Sequence, residues 1–248
     1  MEVHAHSSPA LGGANTPRKK WTHYLWEFLM LFLAVFCGFL AENQREHMVE
    51  HQREKEYIKS FVEDIKQDTA QLKGVIETFS RKLVYHDSLL QELADPGIFK
   101  SSSRAHYFFE KSRHFPDYIY TDRTIQQLKN SGGMRLIRNK AVSDSIVDYD
   151  SKVKALSIGQ EQMNSLGLTF GLEKNKLFQF RLIDTTHNGF QHPSIPLLSQ
   201  NKVDVEEFYN NMIDQKKIFI YLKRLDADLL ERGTRVIEFI QKEYHLNK

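Results

Sequence analysis

Two histidines in a charged stretch are the first residues whose spacing suggests chemistry. His47 and His51 stand four positions apart, so on a helix both imidazoles would face the same way, as a divalent metal ion requires. Glu50 would be a third ligand, but the H-E-x-x-H pattern of zinc-binding helices is not present. A solvated, charged helix explains the same residues. We therefore predict no metal site here and no cofactor for the chain.

Three arginines form a second candidate site. Arg123, Arg135 and Arg138 lie around a Gly132-Gly133 turn, and a helix is predicted to begin shortly after them. The unpaired backbone N–H groups of a helix start attract anions, so these arginines are candidates for binding an anionic ligand. The alternative is a set of surface arginines beside a helical turn.

The sequence contains no recognisable catalytic constellation. Asp184, His187 and His192 lie close together in a predicted loop, where they would line the rim of a pocket or be incidental. Walker loops, G-x-S-x-G elbows, G-x-G-x-x-G fingerprints and paired-cysteine motifs are missing. The 34 basic and 32 acidic residues nearly cancel, so we predict no nucleic-acid partner.

The chain is organised around an apolar run over 21–41, WTHYLWEFLMLFLAVFCGFLA. At about 1.5 Å per residue it is roughly 31 Å long, which matches the hydrocarbon core of a bilayer. Trp21 and Trp26 supply an aromatic belt at one end, and charged residues follow directly after Ala41. A buried core helix and a cleaved signal peptide are the alternatives, but no small-x-small pair closes the run. We predict an uncleaved transmembrane helix in the lipid bilayer.

The distribution of basic residues predicts the orientation of this helix. Arg18, Lys19 and Lys20 precede the apolar run, whereas Arg45 is the only basic residue in the first ten positions after it. Basic residues are enriched on the cytoplasmic side of membrane helices. We therefore expect a cytoplasmic N-terminus and a large extracytoplasmic C-terminal part, anchored in the inner (cell) membrane.

Composition divides the chain into four predicted segments. The first residues are small and polar with little to bury, the residues after the apolar run are charged on all sides, and the remainder is long enough for one core. The segments are a disordered cytoplasmic N-terminus over 1–20, the transmembrane helix over 21–41, a charged helical stalk over 42–56 and a helical-bundle domain over 57–248.

A long helix is predicted to follow the apolar run and to end at Pro96-Gly97. Its apolar residues recur at helical spacing in neighbouring heptad columns. Asp68 and Lys82 interrupt these columns, so a bundle of helices fits better than a strict coiled coil. The predicted buried stripe is Ile58, Phe61, Val62, Ile65, Leu72, Val75, Ile76, Phe79, Leu83, Leu89, Leu90 and Leu93.

Further helices follow from the same spacing and from residues typical of helix ends. Thr121 and Asn139 are the expected N-caps of two of them, and Gly132 supplies the positive φ that ends a helix. The first and last long helices are expected to pair antiparallel. The predicted fold is all-α, with one N-terminal transmembrane helix continuing into a long helix of an extracytoplasmic helical bundle. Its helices run over 42–94, 104–114, 122–130, 140–166 with a favoured extension to 183, and 204–244.

One face of the apolar run predicts self-association. Glu27, Leu31, Ala34, Gly38 and Ala41 follow at steps of four and three, so they share a face of the helix. The small-xxx-small spacing lets two helix backbones approach closely in lipid. The alternative is that small residues are simply common in membrane helices.

The segment over 122–156 carries a family resemblance. A helix ends there in Ser131-Gly132, a Leu136-Ile137 step follows, and a second helix leads to Tyr149. Together with the apolar N-terminal helix and the charged helix after it, this segment resembles a group of uncharacterised single-pass membrane proteins of Bacteroidota-type bacteria. The resemblance extends from about Lys19 to the end of the chain. It implies a location and an architecture, and it brings no activity.

Three classes of function fit these features. The first is a membrane-anchored interaction or scaffold protein of the cell envelope, whose helical domain binds another envelope protein or itself. The second is an extracytoplasmic ligand-sensing domain that signals through a partner, since only about 20 residues would lie inside the cell. The third is an enzyme whose site is assembled from distant residues.

Overall fold

The structure, a computed structural model, describes residues 21–179 and 195–246, and this part of the chain is helical with no strands. The all-α prediction is confirmed for these residues. The helices are α1 Trp21–Ala94, α2 Ser103–Ser112, α3 Arg123–Asn130, α4 Lys140–Leu177 and α5 Lys202–Glu243, with short 3-10 helices at Pro96–Phe99 and Gly133–Leu136.

The chain divides into two compact units, Met1–His51 and Gln52–Lys248. The described residues of the first unit, 21–51, belong to α1, and the side chains of its apolar run are exposed. A helix of this length and composition is able to cross a membrane.

The second unit contains residues 52–94 of α1, and most of the predicted stripe lies in its core. Ile58, Leu72 and Phe79 have no exposed surface, and Asp68 between them is also fully buried. Ile76 and Leu83 are half-buried. The unit begins at Gln52.

Helix α5 runs antiparallel to α1, as expected for the first and last long helices. The Phe79 and Phe219 rings are 5.4 Å apart, and the hydroxyl of Tyr244 donates to Glu54 at 2.6 Å. Later positions on α1 therefore meet earlier positions on α5. Helix α4 runs parallel to α1, and one of its faces is buried. That face consists of Val142, Ile146, Tyr149, Val153 and Leu156.

Gly233 allows the three long helices to approach closely. A Cβ atom at this position would lie 2.9 Å from Cγ2 of Thr69 on α1 and 3.4 Å from Cε2 of Tyr149 on α4. Any larger side chain would have to displace one of these neighbours. Glycine therefore sets the spacing between α5 and the other two helices at this level.

A second apolar cluster lies where α2 packs on the end of α1. Phe178 stacks on Phe109 with ring centres 6.0 Å apart, and Phe208 of α5 meets Phe178 edge-on at 5.5 Å. The hydroxyl of Ser102 donates to the carbonyl oxygen of Ile195 at 2.9 Å. This cluster ends α4: Phe178 adopts an extended conformation, so the favoured extension to 183 stops at Leu177, with 180–183 outside the described residues.

Two of the three helix ends predicted from the sequence are found in the structure. Asn139 accepts a hydrogen bond from the backbone N–H of Val142, and Gly132 has a φ of 68°. The prediction that Thr121 caps α3 is wrong. Asp122 occupies the cap position without a side-chain hydrogen bond, because a carboxylate from α1 satisfies the start of this helix instead.

Candidate functional site

Five carboxylates are buried among the described residues of the second unit. Asp226 on α5 is one; the other four, which bind neighbouring donors, are Glu54, Asp64 and Asp68 on α1, and Asp150 on α4. A buried carboxylate is costly unless hydrogen bonds and charges compensate it, so clusters of this kind are candidates for chemistry. We call these four residues the carboxylate network. Its members hold the segment over 118–138 between α1 and α4.

Asp64 and Asp68 together bind the start of α3. One oxygen of Asp64 accepts the backbone N–H of Thr124 at 2.9 Å, and the other forms an ion pair with Arg123. One turn further on, Asp68 accepts the backbone N–H of Thr121 at 2.9 Å. Both carboxylates lie at the positive end of α3, where negative charge is favourable.

Asp68 also lies among tyrosines. The hydroxyl of Tyr149 donates to its second oxygen at 3.1 Å. Burial raises the pKa of Asp68 above its ordinary value, while hydrogen bonds from Thr121 and Tyr149 act in the opposite direction. Burial and the neighbouring charge of Asp68 raise the pKa of Tyr149 far above its usual range. Tyr149 is therefore a neutral hydrogen-bond donor at physiological pH.

Asp150 and Glu54 complete the network. Asp150 binds the end of α3, and Glu54 binds the backbone just before α4. Asp150 pairs with Lys129 of α3 and with Lys154, which lies 3.1 Å away. Although burial acts to raise it, these two ammonium groups lower the pKa of Asp150 below its ordinary value. Glu54 accepts the backbone N–H of Arg138 at 2.8 Å as well as the Tyr244 hydroxyl. Every member is bound by structural donors, so the network fastens α3 and the start of α4 and offers no carboxylate for acid–base catalysis.

A small polar groove lies beside the network, between α1 and α3. It has a volume of about 320 Å³ and is lined by Arg53, Glu56, Tyr57, Ser60 and Gln127. Its lining side chains include one cation, one carboxylate and three neutral hydrogen-bonding groups. Sequence reasoning missed it because its walls come from helices that are distant in the chain.

The three predicted arginines lie at different elements of the second unit. Arg123 lies at the start of α3 and pairs with Asp64, whereas Arg135 lies in the 3-10 helix that follows the end of α3. The side chain of Asn139 already caps the start of α4. Arg138 is exposed and none of the three lines the groove. The anionic ligand remains a prediction.

The predicted interface in the first unit is exposed along its length. Ala34, Gly38 and Ala41 have exposed surfaces, and apart from its chain neighbours and the backbone of its own helix no described atom lies within 4 Å of a Cβ built on Gly38. Glu27 lies at one end of this face, 3.1 Å from Nε2 of His23. The small residues of this face are thus exposed in the described chain, and self-association stays a prediction.

The predicted histidine sites differ in what the structure says of them. His47 and His51 are exposed on α1, with Glu50 Oε2 4.0 Å from Nδ1 of His47. Among the described residues, no group of three or more His, Cys, Asp or Glu side chains is placed to hold a metal ion. The group of Asp184, His187 and His192 lies outside the described residues.

An aromatic patch occupies the surface where α2 crosses α1. Its members are Tyr85, Tyr107 and Phe108, all half-buried. Tyr85 meets Tyr107 edge-on at 6.5 Å and stacks on Phe108 at 6.4 Å between ring centres. Val84 beside Tyr85 has 63% of its surface exposed. These contacts join the three rings into one patch at the surface.

No protein-family model matches the sequence, and no curated protein and no solved structure matches it either. The resemblance to bacterial single-pass membrane proteins therefore stays a prediction, and function has to be argued from the geometry.

Proposed function

We propose that the chain is a membrane-anchored interaction protein of the cell envelope. In this proposal the exposed apolar part of α1 spans the bilayer, and the second unit presents a helical surface to another envelope protein or to a second copy. The exposed apolar helix supports the anchor. The N-terminus is proposed to lie in the cytoplasm, on the evidence of Arg18, Lys19 and Lys20 before the helix.

The aromatic patch is the observation that carries the binding role. Tyrosine is over-represented among residues that dominate protein–protein binding, because a rigid ring buries much area at low entropic cost. Tyr85, Tyr107 and Phe108 keep part of their rings exposed beside Val84. By contrast, the four carboxylates of the network are bound to structural partners, which supports a structural role for them.

A photo-crosslinking amino acid at Tyr107 tests this role in the native membrane. We expect one discrete adduct at this position and none at Val147, which is also exposed and lies on α4. An adduct of twice the chain mass identifies a second copy, and any other discrete mass identifies a different envelope protein. Equal labelling at both positions, or no adduct at Tyr107, would contradict the proposal.

Ligand sensing is the second candidate, and the groove beside α3 is the observation that favours it. Arg53, Glu56 and Gln127 offer donors and acceptors within a volume of about 320 Å³. A sensor would couple a ligand in this groove to the partner surface. Loss of the photo-crosslink on Gln127→Ala would support sensing, whereas an unchanged crosslink would favour the interaction role alone.

A further inference from the structure

A group of basic side chains gathers where α1, the end of α2 and the end of α4 meet in the second unit. Lys82 of α1 donates from Nζ to the carbonyl oxygen of Lys111 at 3.1 Å, which places it at the C-terminal end of α2. Lys174 of α4 reaches the same end of α2, where its Nζ lies 3.8 Å from Oε1 of Glu110. We call the set the cationic cluster; its members are Arg81, Lys82, Lys111, Arg113 and Lys174.

The charges in this cluster are not balanced by the carboxylate that contacts it. Glu110 binds Nε of Arg113 at 2.7 Å and also contacts Lys174. In residues 21–179 and 195–246, Lys82 and Lys111 make no ion pair with a carboxylate. Within the described residues, Arg113 and Lys174 thus share Glu110, whereas Lys82, Lys111 and Arg81 pair with no carboxylate.

The partners of the remaining cations are neutral groups. Arg81 donates to the hydroxyl of Thr78 at 3.2 Å, and Nζ of Lys111 lies 5.6 Å from the centre of the Tyr107 ring. The C-terminal end of a helix carries only about half a negative charge, so α2 can account for one of these cations and not for all.

The cations repel one another in the absence of an anion. Burial lowers the pKa of Lys82, and the positive charges of Arg113, Arg81 and Lys111 lower it further. Burial and the charge of Arg113 lower the pKa of Lys174 in the same way, although Glu110 acts against them. An anion bound among these groups would remove the repulsion and gain charge-assisted hydrogen bonds.

We propose that the cationic cluster binds an oxyanion of the phosphate class that carries two or more negative charges. Lys82 and Arg113 are half-buried, so their charges act through less water than those of fully exposed side chains. Arg113 provides a planar donor group and the lysines provide point charges, the combination that phosphate sites use. The proposal stands apart from the interaction role, because it involves different side chains.

Thermal unfolding of the full chain in phosphatidylcholine nanodiscs tests the site, with pyrophosphate as the probe at constant ionic strength. We expect the unfolding midpoint to rise with pyrophosphate concentration. Lys82→Gln and Arg81→Gln should each weaken the apparent affinity about tenfold, the size of one charge-assisted contact. Without the probe, the same variants should unfold no earlier than the wild type, because each removes repulsion.

Lys66→Gln is the matched control, since Lys66 also lies on α1 but pairs with Glu63 at 2.8 Å. It should keep the wild-type response to pyrophosphate. Nanodiscs that contain an anionic phospholipid distinguish a lipid headgroup from a soluble phosphate: a Lys82-dependent rise only in these discs identifies the lipid. No rise in either disc, or equal responses of the Lys82, Arg81 and Lys66 variants, would overturn the proposal.

Discussion

At the scale of single residues, two buried titratable groups in the second unit have opposite effects on stability. Neither oxygen of Asp226 and neither ring nitrogen of His86 has a hydrogen-bond partner among the described residues. Burial alone raises the pKa of Asp226 to about 7. Burial, together with the charge of Lys216, lowers the pKa of His86 to about 4. Both groups are therefore neutral in the folded chain at mildly acid pH.

The signs of these two contributions follow from proton linkage. From about pH 4 to 7 the folded chain holds a proton on Asp226 that the unfolded chain releases. The contribution of Asp226 to the free energy of unfolding therefore falls as pH rises. From about pH 6.5 down to 4 the unfolded chain binds a proton at His86 that the folded chain does not bind. The contribution of His86 to the free energy of unfolding therefore falls as pH falls. Between about pH 4 and 6.5 these two contributions therefore have opposite signs.

Asp226→Asn should reveal the contribution of His86. Its unfolding midpoint should rise with pH between about 4 and 6.5, and above pH 7 the variant should be more stable than the wild type by up to roughly 4 kcal/mol. Thermal unfolding of the full chain in detergent at several pH values measures this. Asp228→Asn is the control, because Asp228 is exposed and paired with Arg232. A wild-type pH profile for Asp226→Asn would contradict the assignment.

At the scale of elements, the long helices could be predicted from sequence because their periodicity is local. The apolar residues of α1, α4 and α5 recur at helical spacing over many turns. The buried face of each helix can therefore be recognised without knowing which helix packs against it. Asn139 likewise caps its own helix through a contact three residues away. The same spacing predicts helices of the observed type and nearly the observed bounds.

The candidate sites could not be predicted because they depend on contacts between distant residues. Glu54 lies in a segment that is charged on all sides, yet it is buried. It accepts a hydrogen bond from Tyr244, 190 positions away. Thr121 has the right residue type for an N-cap, but the acceptor for α3 comes from Asp64, 60 positions earlier than Thr124. The cationic cluster joins three helices, and no local pattern indicates it. Arg123 lies at the start of α3, before the Gly132-Gly133 turn, and pairs there with Asp64.

Helix α3 should depend on Asp64 more than on its own sequence. It is only eight residues long, and isolated helices of this length are unstable in water. Asp64→Ala leaves the buried N–H of Thr124 without an acceptor and should cost about 1–3 kcal/mol of unfolding free energy. Hydrogen exchange of residues 123–130 should accelerate more than exchange in α4.

The matched variant for this test is Glu63→Ala. Glu63 precedes Asp64 on α1 but is exposed and contacts Lys66. It should leave exchange in 123–130 unchanged, since surface ion pairs contribute little. Equal acceleration in the two variants, or none in Asp64→Ala, would show that α3 is held by its apolar face alone.

At the scale of the whole molecule, the proposed role requires the second unit to lie outside the cytoplasm. The chain offers a direct way to test this, because Cys37 is its sole cysteine and lies within the apolar run. Cys37→Ser removes the only background thiol. A single new cysteine can then report the side of the membrane on which any chosen position lies.

In the Cys37→Ser background, Val147→Cys should react with a membrane-impermeant maleimide in intact spheroplasts, because Val147 is 49% exposed on α4. Ser8→Cys should react only after the membrane is permeabilised, because three basic residues between it and the apolar run favour the cytoplasmic side. Gel-shift detection of the labelled chain measures both. The reverse pattern would show that the second unit is cytoplasmic. Release of the chain by alkaline carbonate without detergent would show that the apolar run does not anchor it.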